Sequence, residues 1–259
     1  MQEKDNCNKQ VQVLDSGCIA KLEDEKSRLD IVMGSASLNT LAKSTVMVFG
    51  LGGVGAAAAL ALARGGVGRL ILVDFDTVSI SNINRQLVAF HSTIGQKKTD
   101  VAACMIKDIN PDIVVEVVDT FVSADSAGEI ISSYAQELDY VIDAIDTLSS
   151  KLAIAQFCST DQINLISSMG AANRVDPTAL YITDLFKTQD CPMCRIIRKQ
   201  ARSLGIKKLT VVASKEKPVT NNSTMENSSS RPTLGSTSYV PPIAGMMLAG
   251  HVIREITGV

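Results

Sequence analysis

Between residues 45 and 171 the chain alternates between two kinds of apolar pattern. Short runs rich in β-branched residues, at 45–50 (TVMVFG), 69–76 (RLILVDFD), 113–119, 139–146 (DYVIDAID) and 163–171, read as buried strands. Between them lie longer segments of helical character. Residues 53–66 are Ala/Leu-rich and stop at Gly65-Gly66, and residues 97–112 form a helix that ends before Pro111. Residues 123–136 and 147–162 supply two more. This alternation predicts right-handed βαβ units, and so an α/β, Rossmann-like fold with a mainly parallel sheet and helices on both faces.

The pattern is weaker at both ends. Residues 1–27 are polar and aperiodic and read as a partly ordered arm, and 27–44 read as a short helical lead-in. After residue 173 come a strand-like stretch around a proline turn (174–185), a basic helix (193–208) and a strand (209–214). A Ser/Asn/Pro-rich segment at about 216–235 is expected to be a mobile loop. The last stretch, 237–258, predicts a strand and then a helix entered through Pro241-Pro242. With no internal repeat, the expectation is one domain over 28–259 with an elaborated C-terminal third.

Composition narrows the setting. The chain has 259 residues, 46% of them hydrophobic, with a formal net charge of −2, ordinary values for a globular protein that does not coat nucleic acid over its whole surface. It has no apolar stretch of signal-peptide type at the start and no apolar run near the roughly 20 residues a membrane span needs, so a cytoplasmic protein is expected. Its six cysteines then read as thiols, with Cys104 and Cys158 as buried filler.

The candidate chemistry begins at Gly50-x-Gly52-Gly53-x-Gly55, which follows a strand and opens a helix. Glycines there let the backbone approach a phosphate, and the helix N-terminus offers free N–H groups. Asp74 ends the next strand, where a carboxylate can bond a ribose hydroxyl. Those features alone fit NAD as well as ATP. Asn82, Arg85, Gln86 and Lys98 follow, and a second acid, Asp146, closes the stretch DYVIDAID. Cations around a triphosphate neutralise charge as pyrophosphate departs, and a carboxylate at a strand end can hold magnesium. Hydride transfer needs none of these groups. His91 and His251 lie among apolar neighbours and read as capping or packing residues.

The order GxGGVG, DFD, NINRQ, GQKK and DAID resembles the ThiF/MoeB superfamily of ubiquitin-activating-type adenylating enzymes. The stretches NINRQ, DAIDTLSSK, VDPTALYITDL and SYVPPIAGMMLAGHVI resemble its tRNA threonylcarbamoyladenosine dehydratase branch, and the likeness runs from about Arg28 to Gly258. The resemblance implies an ATP site in which Gly50, Gly52, Gly53 and Gly55 form the phosphate turn, Asp74 binds the ribose, Asp76 is a further cofactor-binding residue, and Asn82, Arg85, Gln86 and Lys98 meet the phosphates. It makes Asp146 the magnesium-linked acid and Arg28 an arginine lent to the neighbouring subunit of a homodimer. It also raises a monovalent cation and a sulfurtransferase-system partner, which the residues themselves do not specify.

Two departures matter. Relatives that bind structural zinc carry two CxxC pairs, whereas this chain has only Cys191 and Cys194, so zinc within one chain is not expected. Residues 195–259 contain no cysteine, which argues against an enzyme thioester and against ubiquitin-like transfer. The implied reaction is ATP-dependent cyclisation of threonylcarbamoyladenosine in tRNA. The alternatives are activation of the C-terminus of a ubiquitin-like sulfur carrier and, in a different class, a nicotinamide-dependent oxidoreductase or a nucleotide-binding scaffold. A tRNA substrate asks for a basic surface. Residues 187–217 carry nine Lys or Arg against Asp190 and Glu216, with Arg195, Arg198, Lys199 and Arg202 at helical spacing.

Overall fold

The computed structural model describes residues 24–189, 191–219 and 234–259. Cys7, Cys18, Asp190, most of the N-terminal arm and the middle of the expected loop lie outside the described residues. In chain order the elements are α1 (Ser27–Leu41), β1 (Thr45–Phe49), α2 (Gly55–Arg64), β2 (Arg69–Val73), α3 (Lys98–Ile109), β3 (Val114–Val118) and α4 (Ser126–Ser132). Then come β4 (Tyr140–Asp143), α5 (Leu148–Thr160), β5 (Leu165–Ser168), β6 (Leu180–Asp184), α6 (Pro192–Ser203), β7 (Thr210–Ser214) and α7 (Val240–Thr257).

The strands form one seven-stranded sheet in the order β3-β2-β1-β4-β5-β7-β6, parallel except for β6, which runs antiparallel to β7. The alternation of side chains along β1 and β2 sorts the core into two layers. Val46, Val48, Leu70 and Leu72 pack with α2, α3 and α7 on one face, while Met47, Phe49, Ile71 and Val73 pack with α4 and α5 on the other. A third cluster joins α5, α6 and β7 through Leu152, Cys194, Ile197, Ala201 and Val211. Strand order reverses between β1 and β4, the crevice where open α/β sheets bind ligands at the carboxyl ends of the strands.

The helical lead-in forms as α1, with one break at Gly34, whose φ of 78° lies outside the helical region. Three expectations need correction. No strand forms at 237–240: Tyr239 caps α7, and Pro241 and Pro242 sit in its first turn, where their missing N–H groups cost nothing. Cys104 is exposed, on the side of α3 away from its buried residues Val101, Ala102 and Ile106, whereas Cys158 is buried as expected. Last, β4 stops at Asp143, so Asp146 lies in the loop beyond it. The Asp143 carboxylate accepts the N–H of Ile145 and turns the chain out of the sheet.

Candidate nucleotide site

A cleft of about 650 Å³ opens over the ends of β1, β2, β4 and β5. Its floor is the glycine turn. Gly50 has φ +82°, and a Cβ there would stand 3.0 Å from the carbonyl oxygen of Ala144, so only glycine suits the position. Gly52 and Gly53 line the cleft. Gly55 does not, because it faces inward: a Cβ on it would lie 1.7 Å from the Gly50 oxygen, so its part is to bring α2 close to β1.

Asp74 anchors that turn. It is buried, and its two carboxylate oxygens accept the N–H groups of Leu51 and of Asp76. Each oxygen keeps a further lone pair for a ribose hydroxyl. Asp76 in turn holds Lys98: its carboxylate lies 2.7 Å from Nζ, and its backbone oxygen accepts the Lys98 N–H at 3.0 Å. Lys98 is thus a buried cation fixed at the start of α3 and presented to the cleft. Asn82 accepts the Ser79 N–H in a one-turn helix, while Arg85 donates to the carbonyl of Ser81 and to the Asn84 side chain.

Gln86 is buried in the cleft wall, and its Oε1 finds no donor among the described residues. Its Nε2 stands on the side of Gly52, 3.9 Å from where a Cβ on that glycine would lie, and supplies the N–H polarity that a phosphate oxygen needs. Asp146 lines the opposite side, exposed and next to Thr147 at the start of α5. Gly50, Gly52, Gly53, Asp74, Asp76, Asn82, Arg85, Gln86, Lys98 and Asp146 therefore converge on one cleft. Arg28 lies outside the cleft of its own chain, on α1.

Several site features were not anticipated. Phe75 and Phe121, both about half exposed, meet edge-to-face with centroids 5.0 Å apart at the cleft and offer an apolar surface to a flat base. Beneath Asp146 lies a fully buried ion pair: Lys151 Nζ is 2.9 Å from Asp143 and also donates to the Ile145 carbonyl, while Ser167 donates to Asp143 at 2.6 Å. The pair pins the loop that carries Asp146. Its only trace in the sequence is an acid and a lysine inside apolar stretches.

The sequence pattern of the ThiF family matches residues 25–259. The chain belongs to the ThiF family. Among ThiF-family relatives, a tRNA threonylcarbamoyladenosine dehydratase of Bacillus subtilis is 41% identical over 240 residues, 89% of this chain and 93% of that protein. The crystal structure of the Escherichia coli tRNA N6-threonylcarbamoyladenosine dehydratase TcdA in complex with ATP superposes with a TM-score of 0.81 at 31% identity, covering 90% of this chain and 94% of that one. The same enzyme in complex with AMP gives a TM-score of 0.82 at 31% identity, covering 94% and 98%.

Within this ThiF-family fold the four basic residues predicted on a helix face separate into two kinds. Arg195, Lys199 and Arg202 are exposed on α6. Arg198 is half-buried and donates to the backbone and hydroxyl oxygens of Thr188, and the Arg202 guanidinium lies 5.5 Å from the centroid of Phe186. His251 is a packing residue as expected, bonded to the Tyr140 hydroxyl, whereas His91 starts an exposed turn. No helix among the described residues is long and apolar enough to cross a membrane.

Proposed function

We infer that this chain catalyses the ATP-dependent dehydration of N6-threonylcarbamoyladenosine in tRNA. The observation that carries the reading is the convergence of a glycine turn, two cations and an acid on one cleft, in a chain this similar to enzymes of that name. Hydride transfer would leave Lys98 and Arg85 without a task.

The threonyl carboxylate, ionised at neutral pH, attacks the α-phosphorus of ATP, and pyrophosphate leaves. Lys98 and Arg85 meet the charge that builds on the departing phosphates, and Gln86 turns its amide toward them. The activated carbonyl is then attacked by the carbamoyl group of the same nucleoside, closing a ring as AMP departs. That step is intramolecular, so holding the geometry supplies much of the acceleration. No protein nucleophile is required.

Magnesium usually binds through one or two carboxylates plus substrate phosphates, and Asp146 is the carboxylate of this cleft suited to hold it, since Asp76 is engaged with Lys98. Its chemistry there would be to neutralise phosphate charge. Among the described residues no group of three His, Cys, Asp or Glu side chains could hold a metal without the substrate. Arg28 would act across a homodimer. Ile31 and Val32, one turn along α1, are each 80% exposed, which supports a second copy covering that helix. Arg195, Lys199 and Arg202 would carry the phosphate contacts to tRNA, with Arg198 tied to Thr188.

The decisive experiment incubates threonylcarbamoyladenosine-containing tRNA with the protein, ATP and magnesium, followed by mass spectrometry of the nucleosides. A nucleoside lighter by one water, formed with release of AMP, is expected. Arg85→Ala and Lys98→Ala should each lower kcat/KM by about 10²–10³-fold. No water loss, together with ATP–pyrophosphate exchange that depends on a carrier protein ending in Gly-Gly, would replace this reading with the sulfur-carrier alternative.

A further inference from the structure

The cleft chemistry leaves one reactive cluster unused. Cys191 is the N-cap of α6 and Cys194 lies in its first turn, with Pro192 and Met193 between them. The Cys194 backbone N–H points at Cys191 Sγ from 3.5 Å, which brings the two residues together at the start of the helix. Both residues are buried, 4% and 0% exposed.

A second feature points to the same place. Arg174 is a fully buried guanidinium, 2% exposed, and its Nε and Nη1 find no hydrogen-bond acceptor among the described residues. A buried cation needs an anion, and among the described residues no carboxylate forms an ion pair with Arg174. Its charge acts on Cys191, favouring the ionised sulfur. The hydrogen bond from Cys194 does most to hold the Cys191 thiol well below its ordinary range, and the Cys194 N–H and Arg174 act in the same direction against burial. Cys194 is driven the opposite way, chiefly by its bond to Cys191 and then by burial, and stays protonated. One sulfur is prepared as a nucleophile and its neighbour as the thiol that resolves the product.

We propose that Cys191 and Cys194 form a redox-active dithiol beside the nucleotide cleft, with Arg174 as the counter-ion of the Cys191 thiolate and a peroxide as its oxidant. The Cys191 thiolate attacks one oxygen of hydrogen peroxide, the O–O bond breaks, hydroxide leaves, and Cys191 becomes a sulfenic acid. The Cys194 sulfur then attacks Cys191 Sγ, its proton joins the departing hydroxyl as water, and the disulfide forms. The dithiol has lost two electrons and the peroxide has gained them; an external dithiol reverses the change. Met193, between the two cysteines, lines the cleft, so the oxidation state is registered in the cleft wall.

The test uses the full chain. Folded protein is treated with hydrogen peroxide, quenched by alkylation under denaturing conditions and cut with trypsin, which releases both cysteines in one peptide spanning residues 188–195. The expected result is that this peptide becomes lighter by two hydrogens before exposed Cys104 is oxidised, and returns to its original mass with dithiothreitol. Cys194→Ser should stop the reaction at a Cys191 sulfenic acid that dimedone traps. Arg174→Gln should slow disulfide formation at least about tenfold, since the thiolate fraction falls. If Cys104 is oxidised while the 188–195 peptide keeps two alkylated thiols, in protein whose thermal melt is unchanged, the proposal is wrong and Cys191 only caps α6. The wild-type measurement decides this even where a variant fails to fold.

Discussion

The two walls of the cleft are built by different means. On the β1–β2 side, order comes from close backbone approach, with its buried charges held by near neighbours in the chain: Gly50 turns against Ala144, Gly55 against Gly50, Gly245 of α7 sits where a Cβ would be 2.1 Å from the Val54 oxygen, and Asp74 is tied to the N–H groups of Leu51 and Asp76. On the β4–β5 side, order comes from buried charge: Asp143 pairs with Lys151, and Arg174 is a fully buried guanidinium. Steric fit around a glycine turn is specified within a few neighbouring residues. A buried charge is specified by a partner that can lie anywhere in the chain, and it fails differently, because removing one member strands the other in an apolar medium.

The sharpest way to break that contrast is to remove one charge. Lys151→Met should cost about 3–5 kcal/mol in urea unfolding, because it leaves Asp143, with no exposed surface, facing only Ser167 and one backbone N–H. The paired change Asp143→Leu/Lys151→Met should recover most of that stability. Lys151→Met should also raise KM for ATP, since the Ile145 carbonyl loses its donor and the loop bearing Asp146 loosens. A cost below about 1 kcal/mol for Lys151→Met would mean that water reaches the site and the charges do not organise this wall.

This difference explains what could be read from the sequence. β1, α2 and β2 lie in one continuous stretch whose apolar period and glycines state both the fold and the phosphate turn, and Asp74, Arg85, Gln86 and Lys98 fall in the cleft as expected. The acid in DYVIDAID was harder to place. Two carboxylates three residues apart fit a strand end equally well, and only the pairing of Asp143 with a lysine on the next helix shows that the first is structural and the second open to the cleft. Arg174 and Phe121 gave no signal, because burial and aromatic pairing depend on loops whose paths the local pattern does not set. The strand expected before α7 failed for a local reason: the segment TSYV reads as a strand only if the two prolines after it are taken as a stop rather than as the first turn of the helix.

A smaller effect sharpens the contrast within the glycine wall itself. Gly55→Ala gains helix propensity but forces its Cβ into the Gly50 carbonyl, and a net loss of about 1–3 kcal/mol is expected. Gly52→Ala meets nothing nearer than Gln86 Nε2 at 3.9 Å, so its stability should change by less than about 0.5 kcal/mol. It faces the cleft, however, and should weaken ATP binding measured by calorimetry. If the two substitutions cost the same stability, the division into a packing glycine and a phosphate glycine falls.

The smallest effect contrasts neutral burial with charged burial. Where the β5 wall buries ions, the α7 layer buries groups that are comfortable only when neutral. His251 bonds the Tyr140 hydroxyl at 3.1 Å with the rings edge-to-face, and burial holds its pKa below the ordinary value, with Glu255 pulling up and Arg254 pushing down. Burial, helped by Glu255, raises the Tyr140 phenol to about 12, so it stays protonated throughout the neutral range. The folded protein therefore binds the His251 proton less readily than the unfolded chain. Its contribution is complete above the ordinary histidine pKa and is lost as pH falls through that value toward the folded one. His251→Asn should remove part of the stability lost between pH 7.5 and pH 5.5, as measured by parallel urea titrations at the two pH values. An equal loss in the variant and the wild type would mean that the acid sensitivity does not arise at His251, and the neutral layer would lose its part in it.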